Sequence, residues 1–526
     1  MKKLIPLLVL LLAVCPPTWG QGFVSRSDDK VTRVLNYLKT QYVDSLDMDA
    51  LSDTLMKVIV SQLDPHTVYI PKDKVQEMNE PLDGSFEGVG IEFAILADTL
   101  TIQAVIAGGP AESVGLRAGD KIVVIDGETV AGVGLTNNDV RDRLRGPKGS
   151  QVVVSVLRGG VLQDFVIRRD TIPLESVDAA YEPEPGVIYI KLGRFAQNSM
   201  KEFGEALFDL AEERPKGIII DLRGNGGGFM HVALALSDQF LEKDQVIVRM
   251  EGKRNSTQEV ATGKGIYREG PVVVLVDENS ASASEIFAGA MQDWDRAVIV
   301  GRRTFGKGLV QQEYRLPDGS HIRMTVARYH TPSGRIVQTP YEMGDREAYY
   351  RTANERYARG ESFCRDSIVQ PDSLAFKTLR LGRTVYGGGG IVPDVFIPYD
   401  TTAIRPFLVK VIGSGTLTDY ANDYLDKHRG SLAADSLKEF EKNYAPLAAA
   451  AFDGLMAYAA EKEIVPDSEE ELAACQALLA TRLKALLVRS VLGTTGYWQV
   501  INAEEDPTLE KALEIVRTWP KAFTER

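Results

Sequence analysis

Disulfide support is missing from this chain. Three cysteines occur in 526 residues, and Cys15 falls inside the leader discussed below. Only Cys364 and Cys475 then remain, far apart in sequence, so no disulfide framework holds the fold. Histidine is also scarce: His66, His231, His321, His330 and His428 are scattered, and no Cys/His cluster has the spacing of a zinc site. Each reads as a surface or satisfied core histidine. Positive charge is in deficit, with a formal net charge of −13 that becomes two units more negative once Lys2 and Lys3 leave. That balance argues against a sequence-independent grip on nucleic acid. No apolar run reaches the roughly 20 residues of a membrane-spanning helix. The start, MKKLIPLLVLLLAVCPPTWG, is basic, then apolar, then cut short by Pro16 and Pro17, which is the pattern of an export signal cleaved after Gly20. The expectation is an exported, periplasmic protein. Leu12-Ala13-Val14-Cys15 supplies a lipid-anchored alternative, the one route to membrane contact, although Val14 stands where Gly, Ala or Ser is usual.

What is present is an ordinary globular composition, 44% hydrophobic and 25% charged, long enough for about three or four domains. Residues 21–83 form an N-terminal helical region. Val31, Val34, Leu35 and Leu38, then Leu51, Leu55, Val58 and Ile59, recur at three-and-four spacing and predict two amphipathic helices, ended by the Pro-containing turn in "LDPHTVYI". Residues 84–170 read as a compact β-rich module of short alternating strands with one small helix near 111–116. Its Gly88-Val89-Gly90-Ile91 segment is a glycine loop whose backbone amides could converge on a carboxylate. Residues 171–400 alternate strands and helices, and continuous apolar strands such as 217–220 and 272–276 predict a sheet covered on both faces, an α/β core. The tract "GLVQQEYRLPDGSHIRMTVARYH" predicts a hairpin turning at Asp318-Gly319. Residues 401–526 are Ala-, Leu- and Glu-rich and predict a helical C-terminal region, a scaffold or assembly element.

Three stretches carry candidate chemistry. "GRRTFGKG" (301–308) matches the first seven positions of a phosphate-binding loop but has Gly308 where a magnesium-binding hydroxyl is needed, and strand character follows it. "DLRGNGGGF" (221–229) fails as a dinucleotide loop because Phe229 takes the third glycine's place. Its glycine cluster after a strand could instead present backbone N–H groups to an oxyanion. "NSASASEIFAGAMQDW" (279–294) places serines at a strand-to-helix turn, where the helix dipole and free amides favour an alkoxide. No histidine is near, but a desolvated lysine can serve as base, and Lys307 lies between Gly306 and Gly308 beside Phe305. A Ser–Lys hydrolase follows, with Ser280, Ser282 and Ser284 all open as nucleophile or as plain N-cap.

Over roughly residues 30–400 the chain resembles the C-terminal processing peptidases, or tail-specific proteases. The resemblance is carried in order by "LDPHTVYI", "GVGIEF" with "AESVGLRAGDKIVVIDG", "GIIIDLRGNGGG", "ENSASASEIFAGAMQD", "GRRTFGKGLVQ" and "YGGGGIVPDV". It implies a multidomain α/β protein: N-terminal helices, a PDZ-like domain over 84–170, a peptidase core over 171–400 and a helical C-terminal region. It puts the nucleophile at Ser282, the general base at Lys307 and the residue orienting that base at Gln311. The oxyanion donors fall on the N–H of Ala283 and of Gly228 or Gly227. The PDZ-like module would receive a substrate's free C-terminus, its carboxylate at Gly88, Val89, Gly90 and Ile91, by strand addition. The implied partners are protein or peptide substrates, with no metal, cofactor or nucleic acid, and the helical end leans the reading towards a homo-oligomer. Asp293 matches an acidic position of some relatives and is read as structural, because a carboxylate too near Lys307 would stabilise the ammonium. Glu285 is read as a first-turn acid. A scaffold that binds tails without cleaving them is the rival reading.

Overall fold

The computed structural model describes residues 26–519 apart from 97, 107, 212, 213 and 403, so the leader, its Gly20 cleavage point and Cys15 lie outside the described residues. Helix Arg26–Gln41 and all but the last residue of helix Met48–Ser61 belong to an N-terminal unit that ends at Val60. Everything from Ser61 onward is a second unit, and the site lies within it.

The heart of that unit is a six-stranded sheet in the order Val177–Glu184, Val187–Leu192, Gly217–Asp221, Val272–Val276, Val298–Gly301, Val395–Phe396. The first pair is antiparallel and the others are parallel. Gly217–Asp221 and Val272–Val276 are buried at every position, and successive side chains face opposite sides of the sheet. Ile218, Ile220, Val272 and Val274 pack with helices Ser199–Leu210, Met230–Asp238 and Ala283–Asp293 on one face. Ile219, Val273 and Leu275 pack on the other face with Leu509, Ala512, Ile515 and Val516 of the last helix, Pro507–Thr518. That helix, which the sequence grouping puts in the C-terminal region, closes the second side of the core.

A five-stranded antiparallel sheet lies beside this core and carries the predicted hairpin, Leu309–Arg315 paired with His321–His330, with Val68–Ile70 added to the latter strand. The β-rich module is built on the order Ile91–Leu96, Thr99–Val105, Lys121–Ile125, Gln151–Arg158, Val161–Arg168, so Ile91–Leu96 is an edge strand. The chain enters and leaves the module through the antiparallel pair Ser85–Gly88 and Asp170–Pro173. Helices between Pro406 and Glu505 enclose their own apolar cluster, and the longest, Glu469–Glu505, is broken at Gly493 (φ 78°). No described helix is long and apolar enough to cross a membrane. Cys364 is exposed and Cys475 buried, both as free thiols.

Candidate functional site

The strand Val272–Val276 delivers the serine run to the N-terminus of helix Ala283–Asp293, where the three hydroxyls separate by their partners. Ser280 Oγ donates to Leu222 O at 2.8 Å and Ser284 Oγ donates to Asn225 O at 2.9 Å, and both residues are fully buried. Ser282 is half-buried and lines a cavity of about 480 Å³ together with Gly228, Ala283, Lys307 and Gln311. Its backbone is held at φ 56°, ψ −112°, a conformation that costs a non-glycine residue free energy and survives only where the surroundings impose it. Local propensity alone does not produce that turn; long-range hydrogen bonds do.

Asn225 supplies several of those bonds. Its carbonyl accepts from Ala281 N (3.0 Å) and from Ser284 Oγ, and its side chain spans Leu192 O (2.7 Å) and Gly227 N (2.8 Å). The glycine turn is thereby fixed against the serine turn. The N–H of Gly227 is consumed by that contact, so of the two glycines expected as oxyanion donors Gly228 is the one that also lines the cavity. Neither the Gly228 nor the Ala283 N–H has an acceptor among the described residues. Gly228 sits at φ 144°, where an added Cβ would lie 2.1 Å from Phe195 O, so only glycine fits.

The lysine is set from the opposite wall. Its Nζ donates to Gln311 Oε1 at 2.8 Å, and Gln311 Nε2 donates to His66 O at 2.6 Å. Because a carbonyl accepts only from the amide nitrogen, His66 fixes which end of Gln311 faces the amine. Burial holds the Lys307 amine below the usual lysine range, and the Arg323 guanidinium pushes it the same way. Arg323 lines the same cavity and is anchored by Glu313 (2.8 Å) and Asn79 (2.8 Å).

Glu285 binds the two halves together, and this exceeds the first-turn role read from sequence. Its fully buried carboxylate accepts from Ser282 N (2.9 Å) and Lys307 N (2.8 Å) on one oxygen, and from Gly306 N (2.8 Å) and Thr304 Oγ1 (2.6 Å) on the other. Burial raises its pKa in spite of these donors. Tyr329 OH repeats the link on the carbonyl side, donating to Lys307 O (2.8 Å) and lying 3.2 Å from Ser282 O. The amides of the 306–308 loop are thus committed, Gly308 N to Gln338 Oε1 at 2.8 Å, which leaves none of them to cradle a phosphate. Asp293 points elsewhere: it is fully buried and pairs with Arg335 at 2.8 Å. His66 and Glu285 were within reach of sequence reading only as members of the ordered motifs "LDPHTVYI" and "SASASEIF".

Gly88, Val89, Gly90 and Ile91 are not on this cavity. They lead into the edge strand of the β-rich module, with Gly90 at φ 80°. The carbonyls of Val89 and Gly90 are taken by Ala111 N (2.9 Å) and Ile106 N (3.0 Å), and the N–H groups of Val89 and Gly90 meet no acceptor among the described residues.

Residues 186–361 match Peptidase family S41, residues 101–158 match the PDZ domain, and residues 407–493 match a family described as of unknown function. The chain is 32% identical over 364 residues to the carboxy-terminal processing protease CtpA of Bacillus subtilis (strain 168), covering 67% of this chain and 78% of that one. It is 34% identical over 312 residues to a carboxy-terminal-processing protease of Bartonella bacilliformis, covering 58% and 71%. Among solved structures it is similar to a photosystem II D1 C-terminal processing protease, at 26% identity and a TM-score of 0.37, covering 72% of this chain and 89% of that one.

Proposed function

The chain belongs to the C-terminal processing peptidases of family S41, and from that premise we propose that it is an exported serine endopeptidase working through a Ser282–Lys307 dyad on proteins presented by their C-terminal tails. The observation that carries the reading is that one cavity gathers a strained serine, a desolvated lysine and two backbone N–H groups without an acceptor among the described residues.

Neutral Lys307 Nζ takes the proton of Ser282 Oγ as that oxygen attacks the scissile carbonyl carbon. The oxyanion is received by the N–H groups of Gly228 and Ala283. Collapse breaks the C–N bond, and the Lys307 ammonium returns its proton to the departing amine. Water then enters, loses a proton to the Lys307 amine and attacks the acyl ester; as the ester C–O bond breaks the Lys307 ammonium returns that proton to Ser282 Oγ, which releases the new C-terminus and restores the serine. Gln311 keeps the amine aimed throughout. The substrate's tail adds as a strand to the free edge of Ile91–Leu96, with its carboxylate on the amides of the Gly88–Ile91 turn.

Ser282→Ala and Lys307→Ala are each expected to abolish cleavage of a tailed, unfolded polypeptide while the far-ultraviolet dichroism stays native. Cleavage retained by either variant rejects the dyad. Loss of cleavage by the wild type itself, with tail binding intact, would instead make the protein a scaffold. Export is checked by fractionation with and without residues 1–20, and a Cys15→Ser variant separates a lipid-anchored from a free form. A mass measurement in solution decides between monomer and homo-oligomer.

A further inference from the structure

Arg223 is the residue that opens the glycine turn, and it is held from two sides. From the last position of the strand before the turn, Asp221 accepts its Nε (2.9 Å) and Nη2 (2.6 Å). From the C-terminal helices, Asp506 accepts its Nη1 (2.8 Å) and Nη2 (2.6 Å), one carboxylate oxygen for each nitrogen. The Arg223 carbonyl is also fixed, accepting from Lys191 Nζ at 2.9 Å, and the next amide, Gly224 N, donates to Asp277 Oδ1 at 3.0 Å. Asp221 and Asp506 are both buried. Asp506 sits where helix Glu469–Glu505 ends and helix Pro507–Thr518 begins, and its Oδ1 caps the latter by accepting from Thr508 N (3.0 Å) and Leu509 N (3.1 Å).

A two-pronged arginine–carboxylate contact that is mostly withdrawn from solvent fixes direction as well as distance. Five residues beyond Arg223 the turn must hold the Gly228 backbone against that of Phe195, where not even a Cβ has room on that side. We propose that Asp506 is a positioning residue of the hydrolytic site: through Arg223 it sets the glycine turn so that the Gly228 N–H meets the oxyanion. The C-terminal helices then contribute to turnover and not only to packing. This inference rests on Gly228 being an oxyanion donor.

The test compares Asp506→Asn, Asp506→Ser, Arg223→Lys and the Arg223→Lys/Asp506→Asn pair in the full chain, using a fluorogenic tailed peptide and a fluorophosphonate that labels Ser282. Asn and Ser both keep an acceptor for the helix cap, so if one fails to fold the other still decides. In the Asp506 variants kcat is expected to fall between about tenfold and about a hundredfold with KM within about twofold, and fluorophosphonate labelling to slow in parallel. In the Arg223→Lys background, Asp506→Asn should add little. Arg517→Ala removes another tie of the last helix, to Glu184, and should lower the melting temperature without lowering kcat. Unchanged kcat, a loss confined to KM, additive losses in the pair, or an equal kcat loss in Arg517→Ala each overturn the proposal. Cleavage persisting in Ser282→Ala would overturn the hydrolytic reading itself, whatever the 506 variants do.

Discussion

Replacing Glu285 by glutamine tests how the proposed nucleophile, Ser282, and the proposed base, Lys307, are held in one frame. The carboxylate is fully buried and accepts four hydrogen bonds, two on each oxygen. Glutamine retains one acceptor oxygen and turns the other site into a donor. If the amide nitrogen faces Ser282 N and Lys307 N, two buried N–H groups lose their acceptor. If it faces the other way, Thr304 Oγ1 can accept from it, but Gly306 N–H is orphaned. The second arrangement is the cheaper, and one unsatisfied buried donor costs roughly 1–3 kcal/mol. A loss of about 2 kcal/mol in unfolding free energy is therefore expected, read by urea titration with tryptophan fluorescence. Trp294 is a suitable reporter, since it follows this helix directly and its Nε1 bonds Val246 O at 2.7 Å. The loop that carries Lys307 is loosened at Gly306, so kcat should drop about tenfold, equivalent to about 1.4 kcal/mol, at unchanged KM. A variant with native kcat and native urea midpoint would refute the role given to Glu285. A variant with native kcat but lowered stability would leave it as a structural acid only.

The acid limb of the pH–activity curve should reflect Lys307. Its depressed pKa means that the neutral base forms below the ordinary 10.5, so activity rises with pH through that titration. Stability rises in the same window, because the unfolded chain keeps the lysine proton to higher pH than the folded one. Arg323→Gln removes a neighbouring cation, so the limb should move to higher pH; an unmoved limb contradicts the coupling. Gly228→Ala should abolish turnover, as its Cβ has no room beside Phe195 O, whereas Gly204→Ala, on an exposed helical position with nothing within 4 Å, should cleave as wild type does. Amidating a peptide's C-terminus should weaken its binding, measured by fluorescence anisotropy; equal affinity would remove the carboxylate role from Gly88–Ile91.

Local pattern carried much of this architecture. Unbroken apolar runs such as 217–220 and 272–276 announce a doubly covered sheet, and the Asp318-Gly319 hairpin sits where turn chemistry puts it. Long-range partners did not show in the sequence. Three serines alternate with alanines in one short run, and what distinguishes them is that Leu222 O and Asn225 O, some sixty residues away, claim Ser280 and Ser284. The same holds for Glu285, whose partners at 304–307 belong to another loop, and for Gly227, whose N–H is taken by the side chain of Asn225. The amphipathic pattern of Pro507–Thr518 announces a buried stripe without saying against what. The ordered motifs compensated for part of this, because a resemblance stores three-dimensional neighbours that spacing cannot.

The doorway of the β-rich module has one further consequence. Ser85 lies opposite Pro173, and Gly88 opposite Asp170, so the two crossings into the peptidase body are adjacent in space. A foreign recognition domain whose own ends lie equally close could be spliced there without stretching either flank, and the hydrolytic machinery would then answer to a different molecular address.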